Sequence, residues 1–153
     1  MKIRKATLKD IPQIYKIIND FSSQDLMLPR SLNQLYENIR DFWVCEKNEK
    51  VCGCCGLHVI WKDLAEIRSL AVIQPEQRQG IGTRLVETSL KEAESLKIER
   101  IFMLTKLTIF FEKFGFKKVP KNALPRKIWS ECVHCYKFPD YCDEVALVRE
   151  LGA

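Results

Sequence analysis

A strand, a tight turn holding two glycines and a helix follow one another between residues 67 and 96. The apolar run Ile67-Arg68-Ser69-Leu70-Ala71-Val72 leads to Gln77-Arg78-Gln79-Gly80-Ile81-Gly82. Beyond it Ile81, Leu85, Leu90, Ala93 and Leu96 recur on roughly one face, the spacing of a helix packed on a sheet. An α/β class follows from that order. The first turn of such a helix leaves backbone N–H groups unpaired at the positive end of its dipole, where an anion can sit. Gly80 and Gly82 lack a Cβ, so a bulky diphosphate can approach the backbone closely. Arg78 and Arg84 add charge at the rim.

The chain has 153 residues, suited to one domain over residues 1–153. Hydrophobic residues at 46% and charged residues at 29% define a soluble globular composition. No apolar run approaches the roughly 20 residues that span a bilayer, and Met1-Lys2-Ile3-Arg4-Lys5 turns polar at once, so a cytoplasmic location without membrane attachment is expected. The net charge of +5 suits an anionic small-molecule ligand. Its lysines and arginines are interspersed with acids and carry no nucleic-acid signature, so no nucleic-acid partner is expected. Seven cysteines without an export signal argue for reduced thiols, with Cys52, Cys54 and Cys55 as small buried residues of a strand.

In chain order, Lys2 to Ala6 reads as a strand and Thr7 as the cap of a helix carrying Ile11, Ile14, Tyr15, Ile18 and Phe21. Leu26 to Pro29 forms a loop, and Ser31 caps a second helix through Leu35 and Ile39. Phe42–Glu46 and Val51–Val59 pair across the polar turn Lys47–Lys50. Leu64 to Val72 alternates, with Glu66, Arg68 and Leu70 on one face and Ile67, Ser69 and Ala71 on the other. Arg100 to Leu104 is a strand, Gly115 ends a helix over Ile109–Phe114, and Glu144 to Glu150 is the last strand.

The run Q-x-x-G-x-G after L-A-V, the opening R-K-A-T-x-x-D-I-P-x-I and the segment F-F-x-x-x-G-F together resemble the GNAT N-acetyltransferases. The resemblance implies a mixed, twisted central sheet of six or seven strands flanked by about four helices. It also implies acetyl-CoA as co-substrate. Its cofactor contacts would come from Leu70, Ala71, Val72, Gln77, Arg78, Gln79, Gly80, Ile81, Gly82, Thr83 and Phe111. The segments Pro29-Arg30-Ser31, Glu66-Ile67-Arg68-Ser69-Leu70-Ala71-Val72, Leu124-Pro125-Arg126-Lys127-Ile128-Trp129 and the group Cys132, Cys135 and Cys142 narrow it. As a set they resemble the short, single-domain amino-acid acetyltransferases of the N-acetylglutamate synthase type, from about Ile3 to Leu151. The longer synthases carry a kinase-like regulatory domain, which these 153 residues have no room to encode.

Glutamate has two carboxylates to be held while its amine attacks a thioester. Arg30, Arg68, Arg126 and Lys127 are the cations that the resemblance puts nearest the pocket, and arginine matches a carboxylate with two parallel bonds. Glu66 is the expected base, and a backbone N–H near Leu70 to Val72 the expected donor to the thioester oxygen. Family members often have tyrosine where Phe111 stands, and phenylalanine cannot protonate the leaving thiolate. Either Tyr136 or Tyr141 does so, or the thiolate leaves unaided. Cys132 and Cys135 have a metal-ligand spacing, with Cys142, His134 and Asp143 nearby, but three clear ligands fall short of a closed zinc site, and no metal is expected. Two other readings share the cofactor loop: a ribosomal-protein-type N-terminal acetyltransferase and a non-catalytic acetyl-CoA sensor. Whether the chain forms a homodimer is open.

Overall fold

The first strand and first helix are joined by a buried carboxylate. In the computed structural model, which describes residues 1–124 and 144–152, β1 (Lys2–Lys5) leads through a 3-10 turn at Leu8–Asp10 into α1 (Ile11–Ser23). Thr7 therefore opens the turn and not α1 itself. Its N–H donates to Asp10 Oδ2 at 2.7 Å, and the helix begins at Ile11, four residues further on. Ile11, Ile14, Ile17 and Ile18 are buried, whereas Tyr15 is exposed. At about 100° per residue the buried arc passes through Ile17 and Phe21, leaving Tyr15 at its rim.

Arg4 grips Asp10 with two parallel bonds (2.7 and 3.0 Å) and donates a third to Glu46 Oε1 at 3.0 Å. The guanidinium holds the Asp10 carboxyl below the ordinary carboxylate range, against the opposing effect of burial, with the Thr7 N–H helping. A carboxyl depressed in the fold stabilises it above the unfolded-state pKa, and that contribution fades as pH falls through the folded value. Arg4→Met is expected to cost about 3 kcal/mol in urea unfolding at neutral pH, because Asp10 stays buried without its partner. The gap to wild type should close as the pH is lowered below the usual carboxylate range; a gap independent of pH would contradict this lock.

Ser31 caps α2 (Leu32–Glu37) as expected: its hydroxyl accepts from Gln34 N at 3.1 Å, and Gln34 Oε1 accepts from Ser31 N at 2.9 Å. Ile39 falls beyond the helix, in a 3-10 turn. β2 (Phe42–Lys47) and β3 (Lys50–Trp61) form the expected hairpin, with Asn48 and Glu49 both at positive φ (52° and 63°). Two left-handed turn residues match the natural strand twist. The register steps from Cys45↔Gly53 to Glu46↔Val51, which leaves Cys52 as a bulge.

β4 (Leu64–Val72), α3 (Ile81–Ser95), β5 (Arg100–Thr105), α4 (Thr108–Glu112), β6 (Lys117–Val119) and β7 (Val145–Glu150) complete the described elements. The sheet order is β1-β2-β3-β4-β5-β7-β6. β4 and β5 are parallel, and β1–β2, β2–β3, β5–β7 and β6–β7 antiparallel. Among the described residues this is a seven-stranded mixed sheet with four α-helices, the architecture expected. β6 is an addition that its three residues did not announce.

The chain divides into two units, Met1–His58 with Ile67–Leu96, and Val59–Glu66 with Lys97–Ala153. The first has a core of Ile11, Ile14, Leu35, Phe42, Val44 and Cys54, onto which Met27 and Ile39 pack. Its α3 buries Ile81, Leu85, Val86, Leu90 and Ala93, but Leu96 is 52% exposed. The helix ends at Ser95, so Leu96 is a cap residue outside the stripe. The second unit is built on Leu64, Phe102, Leu124 and Ala146. Arg126, Lys127, Cys132, His134, Cys135, Tyr136, Tyr141, Cys142 and Asp143 lie outside the described residues.

Candidate active site

In the first unit, β4 delivers the chain to the glycine turn through a kinked backbone. Ser69 has φ +57°, a left-handed conformation inside a strand. The strict alternation expected over 66–71 is interrupted there: Ile67 and Ala71 are buried, while Ser69, Leu70 and Val72 are half-buried. The strand end is fastened by Ile73 N donating to Cys52 O at 2.9 Å. A turn at Gln74–Glu76 follows, and Gln77 Nε2 donates back to Val72 O at 2.8 Å.

The loop then alternates handedness. Arg78 has φ +67° and Gly80 φ +81°. Left-handed residues interleaved with others turn successive N–H groups toward one concavity, a nest for an anion. A Cβ on Gly80 would meet no protein atom within 4 Å, so glycine is required here by backbone sign and not by crowding within the protein. Gly80 is the N-cap residue of α3, and its carbonyl accepts from Arg84 N at 3.1 Å. The amides of Ile81, Gly82 and Thr83 open a 15-residue helix and have no intrahelical acceptor.

Lys47, at the end of β2, buttresses this loop. Its ammonium lies 2.8 Å from Glu76 Oε2 and donates to Gln79 Oε1 at 3.3 Å. The Glu76 bond raises the Lys47 pKa. Sequence reasoning missed this pair, since nothing local links residues 29 positions apart.

The same unit holds two of the expected substrate cations. Arg30 is buried, and its carbonyl accepts from Asn19 Nδ2 (3.1 Å), which also donates to Tyr15 O. The α1–α2 loop is thus tied to the last turns of α1. Arg68 is half-buried on β4, with its carbonyl 3.3 Å from the point a Cβ on Gly56 would occupy. Glycine at 56 permits that close approach.

In the second unit, Glu66 is half-buried and stands opposite Phe102 in a parallel ladder of three pairs, Leu64↔Arg100, Ala65↔Ile101 and Glu66↔Phe102. Phe111 is only 3% exposed; its ring meets Phe110 edge-on at 4.9 Å and Phe116 at 6.1 Å. A tyrosine hydroxyl there would need a partner inside an aromatic cluster, whereas phenylalanine needs none. Gly115 has φ +85° and donates to Glu112 O, the left-handed end expected for α4.

Cys52, Cys54 and Cys55 are free and buried, as expected of small apolar residues in a strand, and so is Cys45. Burial pushes the Cys52 and Cys55 thiols up to about 12 and the Cys54 thiol upward as well, which disfavours the thiolate at these three. Among the described residues no group of three or more His, Cys, Asp or Glu side chains is placed to hold a metal ion, and no helix is long and apolar enough to cross a membrane.

A nest at the head of a long helix, fed by a kinked strand of a mixed sheet, has the geometry that suits an anion. The model of the acetyltransferase (GNAT) family matches residues 8–116, and the chain belongs to that family. It is an acyltransferase. Among its relatives, an uncharacterized N-acetyltransferase of Chlorobaculum tepidum is 38% identical over 97% of this chain and 96% of the relative. The amino-acid acetyltransferase of Mycobacterium tuberculosis is 34% identical over 88% of this chain and 78% of that protein. The N-acetylglutamate synthase of Neisseria gonorrhoeae, solved with coenzyme A and N-acetyl-glutamate, superposes with a TM-score of 0.88 at 29% identity. That comparison covers 99% of this chain and 35% of the longer synthase. A ribosomal-protein-alanine N-acetyltransferase of Brucella melitensis, at 20% identity and TM-score 0.76, shares the fold.

Proposed function

We propose that this enzyme transfers the acetyl group of acetyl-CoA to the α-amine of L-glutamate, by direct attack of the amine on the thioester. The observation that carries the reading is the similarity to an amino-acid acetyltransferase over 88% of the chain, a span that takes in the nest, Arg30, Arg68 and Glu66. In this reading the amides from Gln79 to Thr83, with Gln77 and Arg78, hold the diphosphate of the carrier. Leu70, Ala71 and Val72 flank the acetyl-bearing arm and offer an N–H to the thioester oxygen. Phe111 adds an apolar contact to the carrier. Arg30 and Arg68, with Arg126 and Lys127, hold the two carboxylates of the acceptor, and Glu66 takes a proton from its ammonium. Residues 1–153 are read as one acetyltransferase domain. The activity belongs to amino-acid biosynthesis, at the entry to arginine, in the cytoplasm.

Thiol release from acetyl-CoA, followed against a panel of free amino acids and peptides, tests the reading. Turnover with glutamate well above the other amino acids is the expected result. Turnover with peptides alone would overturn it in favour of a protein-modifying enzyme, and no turnover with any amine would leave a carrier sensor.

A further inference from the structure

The ladder between β2 and β3 ends at Phe42↔Gly56, and just beyond it two titratable side chains meet. His58 Nδ1 lies 2.6 Å from Asp41 Oδ2. Toward a carboxylate, which accepts, Nδ1 is the donor, and that tautomer leaves the ring's lone pair at Nε2. The two side chains keep 30% and 23% of their surface, which leaves the ring neither in the core nor fully in water. A base whose tautomer is fixed by a carboxylate is the arrangement that general acid–base catalysis uses.

The dyad's place in the fold gives it an object. Alternate residues of a strand share a face, so His58 continues the line of Cys54 and Gly56. Cys54 belongs to the core with Leu35 and Phe42, onto which Met27 of the α1–α2 loop packs. Gly56 abuts the Phe42 ring and the carbonyl of Arg68. Asp41, His58, Arg68 and the loop that carries Arg30 therefore belong to one unit, and Cys54, on the line that His58 continues, packs with residues of α1 and α2.

We propose that His58 is a catalytic residue for the acceptor amine and that Asp41 is its positioning residue; the inference rests on the amino-acid acetyltransferase reading. An amine that enters as an ammonium sheds two protons. The first leaves before attack, to Glu66. The second leaves the nitrogen as the C–N bond forms, and Nε2 takes it. The C–S bond then breaks with its electron pair on sulfur, and the imidazolium returns the proton to the thiolate. Ammonium plus thioester become amide, thiol and one proton released to water. The dyad thereby supplies the donor that Phe111 cannot be.

The test uses the full chain with whichever acceptor the wild type turns over best. His58→Gly is expected to lower kcat about 100-fold, with KM for both substrates within about threefold, and added imidazole should restore much of the loss. Asp41→Asn, which keeps the side chain's shape but not its charge, is expected to lower kcat about tenfold in the same pattern. Coenzyme A titration by calorimetry shows whether each variant is folded. If His58→Gly fails to bind, the decision passes to Asp41→Asn. A folded variant with kcat within about twofold of wild type, or one that raises KM for the acceptor at unchanged kcat, would overturn the proposal. Failure of the wild type to acetylate any amino acid would instead remove the reading beneath it.

Discussion

Gly82→Glu is expected to abolish coenzyme A binding while leaving the fold as stable as before, or more so. Residue 82 is the second residue of α3, in the turn whose amides point out of the helix. A carboxylate at a helix start is favoured by the dipole by about 0.3–1 kcal/mol, and replacing glycine within a helix adds a similar gain. The same charge stands where the proposed diphosphate docks, and its side chain occupies space that glycine leaves open. Affinity for coenzyme A measured by calorimetry should fall by at least about 100-fold, roughly 2.7 kcal/mol, with the thermal midpoint unchanged or raised. Unchanged affinity in this variant would remove the nest from the carrier site. The opposed signs of the two readouts separate a local block from general damage.

Glu66→Gln carries the second large effect. An ammonium has no lone pair, and a positioned base that takes its proton is worth about 10²–10⁴ in rate. Glutamine keeps the shape and the strand pairing with Phe102 but accepts no proton. The expected result is a loss of kcat in that range with the affinity for coenzyme A retained. Full activity would end the assignment of Glu66 as base.

Much of the fold was legible because it rests on neighbours in the chain. The cap of α2 by Ser31 and Gln34, the hairpin turn at Asn48-Glu49 and the left-handed Gly115 are each decided within a few residues. Errors came where a local rule met a longer-range demand. Thr7 lost the helix cap to a 3-10 turn because Asp10 is held by Arg4 of the preceding strand. Leu96 fits the apolar period of α3 but lies past its end. The alternation of β4 fails at Ser69, whose positive φ has no signature in a serine.

The residues from Val72 to Thr83 determined by themselves that a glycine turn would open the central helix, because glycine, helix start and dipole are properties of consecutive residues. The tertiary structure alone decided what supports and surrounds that loop. Lys47 reaches Glu76 and His58 reaches Asp41 only once strand register has brought separate segments side by side. Register depends on which faces are buried across the whole sheet, and no window of neighbouring residues carries that information.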